Sequence, residues 1–323
     1  MAATDAPALR SARGGYPGFW GMAWRRMRRN RPATVAGAII VAFVLFAILA
    51  DVIAPHDPYQ QFFKRGEAAV DSLGRISNGK FEAPSLDHLF GTDELARDIF
   101  SRTLIGLRIS LGAAFFAIVV VTTIGVTLGL VSAAGPRWLD DLVMRGTDIA
   151  YAFPDLLFII LLRAAFGDSL FGMRSIAGVD TGLLLLFLAI SLTAWPTVAR
   201  LVRGQVLSLR ETEFSTAAQA LGASRSRIAV RHWLPNAAGP VIVEATFLVP
   251  RAIFAEAALS FIGLGPPPPT PSLGLLISSH YSFVTVQWTA LAFPVAVLSV
   301  LFVVFQFFGD GLRDALDPRS SRA

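Results

Sequence analysis

Cysteine is absent from the 323 residues. That excludes disulfides, thiolate metal sites and a cysteine nucleophile. Lysine is almost absent: Lys64 and Lys80 are the only two, and neither precedes Ser or Thr. No GxxxxGK[ST] loop therefore exists, and ATP hydrolysis at a Walker-type site in this chain is excluded. The four histidines, His56, His88, His232 and His280, form no HExxH or other close ligand pair, so no zinc site is expected. There is no GxSxG nucleophile elbow and no repeat of fixed period. The sequence gives an enzymatic role little support, and no catalytic or metal-ligating residue is assigned.

Apolar residues are what the chain has in quantity. They make up 54% of it, with a mean hydropathy of +0.58, which overrides the two soluble domains its length would suggest. The expected fold class is all-α, a polytopic membrane protein. Six spans of about 20 residues or more are read at residues 33–54, 107–131, 139–165, 181–202, 241–264 and 288–308. The third is interrupted by Pro154, and the fourth contains Trp195-Pro196. Residues 1–18 read as a disordered tail. Residues 19–31 alternate Phe19, Trp20, Trp24 and Met27 with five arginines, suiting a short interfacial helix better than a nucleic-acid patch. The division is thus 1–32 cytoplasmic tail and interfacial helix, 33–309 six-helix domain with an external loop at 55–102 and a cytoplasmic loop at 204–240, and 310–323 polar cytoplasmic tail.

Arginine placement sets the expected orientation. The Arg25–Arg31 cluster and Arg210, Arg225, Arg227 and Arg231 put both termini and the loop between spans four and five in the cytoplasm. The loop between spans five and six carries no Lys or Arg.

The segment 211–240 organises the rest. Phe214, Ala217, Ala218 and Leu221 recur at helical spacing as one apolar stripe. Gly222 is expected to end that helix in a left-handed conformation, and Ser224 to cap the next. The second helix carries Ile228 and Trp233 among arginines, with Pro235 and Pro240 expected to stop it. Two readings fit: a helix pair lying on lipid headgroups, or a docking element for a soluble partner. Ionisable residues inside spans are the other candidates. Glu244 and Arg251, and likewise Asp148 and Asp155, are seven apart and expected on shared helix faces. Glu256, Ser260 and Asp155 are expected to line a pore.

These motifs resemble one family, the permease subunits of ATP-binding-cassette importers of the dipeptide, oligopeptide and nickel type. Ala217-Ala218, Gly222 and His232 before Leu234-Pro235-Asn236 resemble its EAA loop. Gly91-Thr92-Asp93-Glu94 with Arg97-Asp98 and Ser101-Arg102 resembles its signature before the second span. Leu259 to Gly265 and Gly309 to Pro318 resemble the exits of its last two helices. Departures are Thr216 for the loop's usual glutamate, Gln219 for a common arginine, Ala96 for a usual glycine and Leu273 for a usual tryptophan.

The resemblance implies a type I importer fold of the second-permease type in a bacterial or archaeal inner membrane. It also implies a homologous second permease, two ATPase subunits and an extracytoplasmic binding protein as partners. No cofactor is implied in this chain; ATP and Mg would belong to the ATPases. The loop would couple to them through Glu213, Ala217, Ala218, Gly222, Ala223, Ser224, Arg227, Arg231, His232, Leu234 and Pro235. Di- and oligopeptides are the implied cargo, with nickel or a nickel chelate the in-family alternative. A secondary transporter driven by an ion gradient is the competitor from another class.

Overall fold

The computed structural model describes residues 19–63, 69–70, 76–166, 175–176, 179–266 and 269–317. The expected tail at 1–18 and the last six residues lie outside them. Helices dominate. The only strands among the described residues are two-residue pairs, Ala69–Val70 with Ile76–Ser77 and Ser175–Ile176 with Val179–Asp180.

Helix α1 (Phe19–Arg29) is the predicted basic helix. It buries Ala23 and Met27, leaves Trp24 exposed, and packs against the last helix. Asn30 then caps α2 (Arg31–Ile48), its side-chain oxygen accepting from the Ala33 amide at 3.2 Å. Pro32 in the first turn costs nothing there, because that amide has no helical partner. The short α3 (Ala50–Ile53) continues α2 after Leu49.

Helix α4 (Ile99–Ala134) starts eight residues before the expected second span. Its 36 residues measure about 54 Å at 1.5 Å each, more than a bilayer's apolar thickness. The surplus is the first two turns, where Ile99 and residues 101–107 are buried by polypeptide. Asp98 caps this end, accepting from the Ser101 amide at 2.8 Å. The expected external loop therefore closes at 98, not 102.

The third span is not one straight helix. Helices α5 (Arg137–Ala152) and α6 (Asp155–Phe166) meet at 87°. Pro154 forces Phe153 out of the helical region, to φ −88 and ψ 128. Asp148 and Asp155 consequently do not share a face. Asp148 instead pairs with Arg200 at 2.6 Å.

Helix α7 (Thr181–Arg210) lies along α4 in the most extensive helix pairing of the described residues. Gly125 and Gly129 make this possible. A Cβ on Gly129 would come within 2.5 Å of the Ala199 carbonyl, and one on Gly125 within 2.6 Å of Val198 Cβ. Small residues four apart let two membrane helices approach backbone to backbone. Arg203 clamps α7 to Asp140 of α5 through two bonds of 2.6 and 2.7 Å, and Arg210 donates to the Ala133 carbonyl at the end of α4.

Beyond the 211–233 segment runs α10 (Leu234–Phe261), then α11 (Leu273–Tyr281) and α12 (Trp288–Leu316). The last helix continues seven residues into the stretch expected as a polar tail. Four helices (α2, α4, α7 and α12) are long and apolar enough to cross a membrane unaided, and the bent α5–α6 pair makes a fifth. The remaining expected span, the fifth at 241–264, falls on α10, which has the length at 28 residues but carries Glu244, Arg251 and Glu256.

Candidate functional site

The segment after α7 folds as helix, turn, helix. Helix α8 (Glu213–Ala220) ends at Gly222, whose φ is +80. The Gly222 amide donates to the Gln219 carbonyl at 2.9 Å and the Ala223 amide to Ala218 at 3.1 Å. These are the paired bonds of a Schellman C-cap, which needs a left-handed residue. Ser224 then caps α9 (Arg225–Ile228), accepting from the Arg227 amide.

Pro235 and Pro240 do not stop this second helix. Residues Ala229–Trp233 form a π-helical turn leading directly into α10, with the Leu234 amide bonded to Ala229 five residues back. Pro235 falls in the first turn of α10, where the missing amide is tolerated. The Asn236 side chain donates to the His232 carbonyl at 2.6 Å. The arginine-bearing turn is thus rigidly continuous with a 28-residue helix.

The expected apolar stripe faces outward. Phe214 is 41% exposed and Leu221 89%. The inward side is held by Ser215 and Trp233, both fully buried. The Trp233 indole donates to Ser215 Oγ at 2.9 Å, and Ser215 donates to the Leu209 carbonyl at 2.6 Å. This bond ties the two arms of the turn together. Ser215 carried no signal in the sequence, being one small polar residue on a helix.

Around Gly222 the side chains of Glu213, Ala217, Ser224, Arg227, Arg231, His232 and Pro235 are exposed, while Ala218, Ala223 and Leu234 are half-buried. Most of the predicted loop residues are therefore exposed, and so are the apolar side chains of Phe214 and Leu221 and the arginines at 225, 227 and 231.

The predicted pore residues fare differently. Glu256 and Ser260 are fully buried where α4, α10 and α11 meet. Ser110 and Ser260 donate to the two Glu256 oxygens at 2.8 and 2.6 Å, and Ser260 lies 3.2 Å from Ser272. Neither residue reaches an open surface in this conformation, because a carboxylate among apolar helices is held by whatever hydroxyls surround it. Asp155 is exposed at the start of α6, far in sequence from the polar groove the structure does show. That groove, about 1030 Å³, lies between α7, α10 and α12, lined by Gln205, Asn236, Glu244, Arg251, Gln306 and Asp310 among others. Glu244 and Arg251 pair along its α10 wall at 2.9 Å, as their seven-residue spacing predicts.

On the opposite end, the GTDE signature folds into a compact knot. Gly91 has φ +81, and a Cβ there would strike the Glu82 carbonyl. Thr92 donates to the Gly79 carbonyl at 2.7 Å. Asp93 accepts from the Arg97 side chain at 2.7 Å and lies 3.6 Å from Arg102. Ala96, where the family has glycine, keeps the left-handed φ of +57. Burial holds the His280 imidazole down at about 4, against an ordinary 6.5, and pushes the Glu94 carboxyl up.

A polytopic helical chain with an exposed helix–glycine–helix turn continuous with a long helix is the architecture of a membrane transport subunit. Comparison with known proteins places it further. Residues 125–322 match the binding-protein-dependent transport system inner membrane component. Residues 18–68 match the N-terminal transmembrane domain of oligopeptide transport permease C. The chain belongs to this family of ATP-binding-cassette importer permeases, multi-pass proteins of the inner membrane. It is 39% identical to the oligopeptide transport system permease protein OppC of Bacillus subtilis strain 168, over 93% of this chain and 90% of that one. It is 38% identical to the dipeptide permease DppC of Alkalihalophilus pseudofirmus over the same shares, and 36% identical to the glutathione permease GsiD of Escherichia coli O157:H7. Its fold matches the inward-facing MetNI methionine ABC transporter with a TM-score of 0.51 at 21% identity, covering 68% of this chain and 96% of that one.

Proposed function

We propose that this permease carries di- or oligopeptides inward, forming half of a pore with a second, homologous permease, and that the 211–233 turn docks into a cytoplasmic ATPase subunit. Two ATPase subunits would bind ATP and Mg, and an extracytoplasmic protein would deliver the cargo. One observation carries the docking reading: an uncovered face pairing Phe214 and Leu221 with Arg225, Arg227 and Arg231, built on a rigid turn. Large exposed apolar groups beside charges mark a protein interface. Because the π turn runs unbroken into α10, closing of the ATPases moves α10 as a lever and opens the groove beside Glu244 and Arg251 to one side of the membrane at a time. Arginine placement puts both termini and this turn in the cytoplasm. The peptide cargo rests on the names of the relatives, which are peptide, dipeptide and glutathione permeases.

Native mass spectrometry of the gently solubilised complex tests this. Two ATPase subunits and a second permease are expected with this chain, and a co-purified binding protein should carry a peptide. A lone chain or homodimer in several detergents and in lipid discs would overturn the docking reading. A nickel chelate in the binding protein would overturn the peptide reading.

A further inference from the structure

Two groups of ionisable side chains lie at the N-terminal end of α4, and they differ in chemistry. In the first, Asp93, Glu94 and His280 come together, but Arg97 and Arg102 both lean on Asp93. Two guanidiniums already neutralise it, and a third cation is not wanted. The second group is His56, His88 and Asp98, whose ligand atoms all lie within 4.8 Å of one another. Among the described residues no arginine or lysine pairs with this Asp98. Its Oδ2 caps α4 through Ser101, while Oδ1 is turned toward the two imidazoles, 2.9 Å from His88 Nδ1 and 3.9 Å from His56 Nδ1. His56 Nδ1 is buried with no hydrogen-bond partner.

We propose that His56, His88 and Asp98 bind a divalent transition-metal ion, with zinc the probe, fastening the exit of the first long helix to the N-terminus of the second. The donor set is the warrant. Two imidazoles and a carboxylate are the ligands that borderline ions such as zinc, nickel and copper(II) take. Ligand atoms around tetrahedral zinc stand about 3.4 Å apart, as bonds of about 2.0–2.1 Å require. The observed 2.9 and 3.9 Å straddle that value, so small side-chain rotations complete the site. Phe62 packs edge-on against both rings, with centroids 4.8 and 5.1 Å away, and gives the site an apolar wall. His56 is about a quarter exposed, leaving one side open for water as fourth ligand. An ion here also supplies the partner that His56 Nδ1 lacks.

This site is independent of the cargo and of the ATPase contact. Its test uses the full chain purified in its complex through a tag without histidine, stripped with chelator and dialysed against zinc. One equivalent of zinc per chain should remain, and cobalt(II) in its place should show the visible bands of a four-coordinate nitrogen and oxygen site. His56→Gln and His88→Gln should each weaken zinc about tenfold or more. If His88→Gln fails to assemble, His56→Gln carries the test alone, its ring being partly in solvent. Wild-type uptake no greater than that of the His56→Gln variant overturns the assignment. So does zinc that is retained when both histidines are replaced.

Discussion

Replacing Gly222 separates backbone strain from side-chain size at the proposed docking turn. The residue sits at φ +80, and a Cβ built on it meets nothing within 4 Å. Within this chain, therefore, a substitution costs only conformation. An L-residue in the left-handed helical region costs about 1–2 kcal/mol, and a β-branched one lies at the top of that range or above. If the turn relaxes instead, it gives up the two cap bonds at 2.9 and 3.1 Å, each worth about 1 kcal/mol. Both routes distort the turn by about 1–3 kcal/mol. The Trp233–Ser215 bond lies on the other side of the segment and keeps it folded. Asparagine tolerates this conformation far better than valine, so the expected order of uptake is Gly, then Asn, then Ala, then Val. The assay is uptake into proteoliposomes holding the whole importer, with ATP hydrolysis measured in parallel. Gly222→Val should lower uptake about tenfold, the factor that corresponds to about 1.4 kcal/mol, while hydrolysis persists. Wild-type uptake by Gly222→Val would refute the reasoning. An asparagine variant as poor as valine would show that volume against a partner, and not φ, sets the requirement.

Three further outcomes follow from the packing. Gly129→Leu should prevent α4 and α7 from closing, since even a Cβ comes 2.5 Å from the Ala199 carbonyl; loss of folded protein in detergent checks this, and a Gly112→Leu control, in open space, should be silent. Glu256→Leu should cost about 1–3 kcal/mol by leaving the Ser110 hydroxyl without its acceptor and Ser260 with only Ser272, whereas Glu256→Gln keeps an acceptor and should cost less; equal thermal midpoints for the two variants would contradict the cluster. Acid should weaken the knot at the head of α4 through His280: its folded value, about 4, lies below its ordinary 6.5, so the stability is complete above about 6.5 and falls as pH drops toward 4, by about 3 kcal/mol at the limit. Glu94, raised in the fold, has the opposite sign and partly offsets this. His280→Gln should flatten the fall in thermal midpoint between pH 7 and 4.5, and an unchanged slope would exclude His280 as its source.

Much was legible in the linear pattern because it depends on neighbours in sequence. Apolar runs of sufficient length have to be helices in lipid, since no water is there to satisfy the backbone. Gly222 followed by Ser224 specified a C-cap and an N-cap, and both formed. Seven-residue spacing placed Glu244 against Arg251. The same rule failed for Asp148 and Asp155 because Pro154 turned the chain by 87° between them, and it took the fold to show that a proline here bends a span while Pro235 merely enters one. The left-handed position at Ala96 was marked only as a departure from glycine.

Burial and distant contact were decided by tertiary structure alone. Periodicity locates an apolar stripe but not the side the protein covers, so Phe214 and Leu221 face outward while Ser215 is sealed beneath Trp233. Glu256 and Ser260 are polar residues on a predicted span, yet whether they meet a pore or a packed junction depends on α4 and α11, with Ser110 standing 146 positions away. His56 and His88 form no motif in sequence; the knot at the head of α4 brings their rings to 4.8 Å. Helix caps and spans are local and are written in order along the chain. Sites joining distant segments exist only once loops have closed and small residues such as Gly125 and Gly129 have let helices touch.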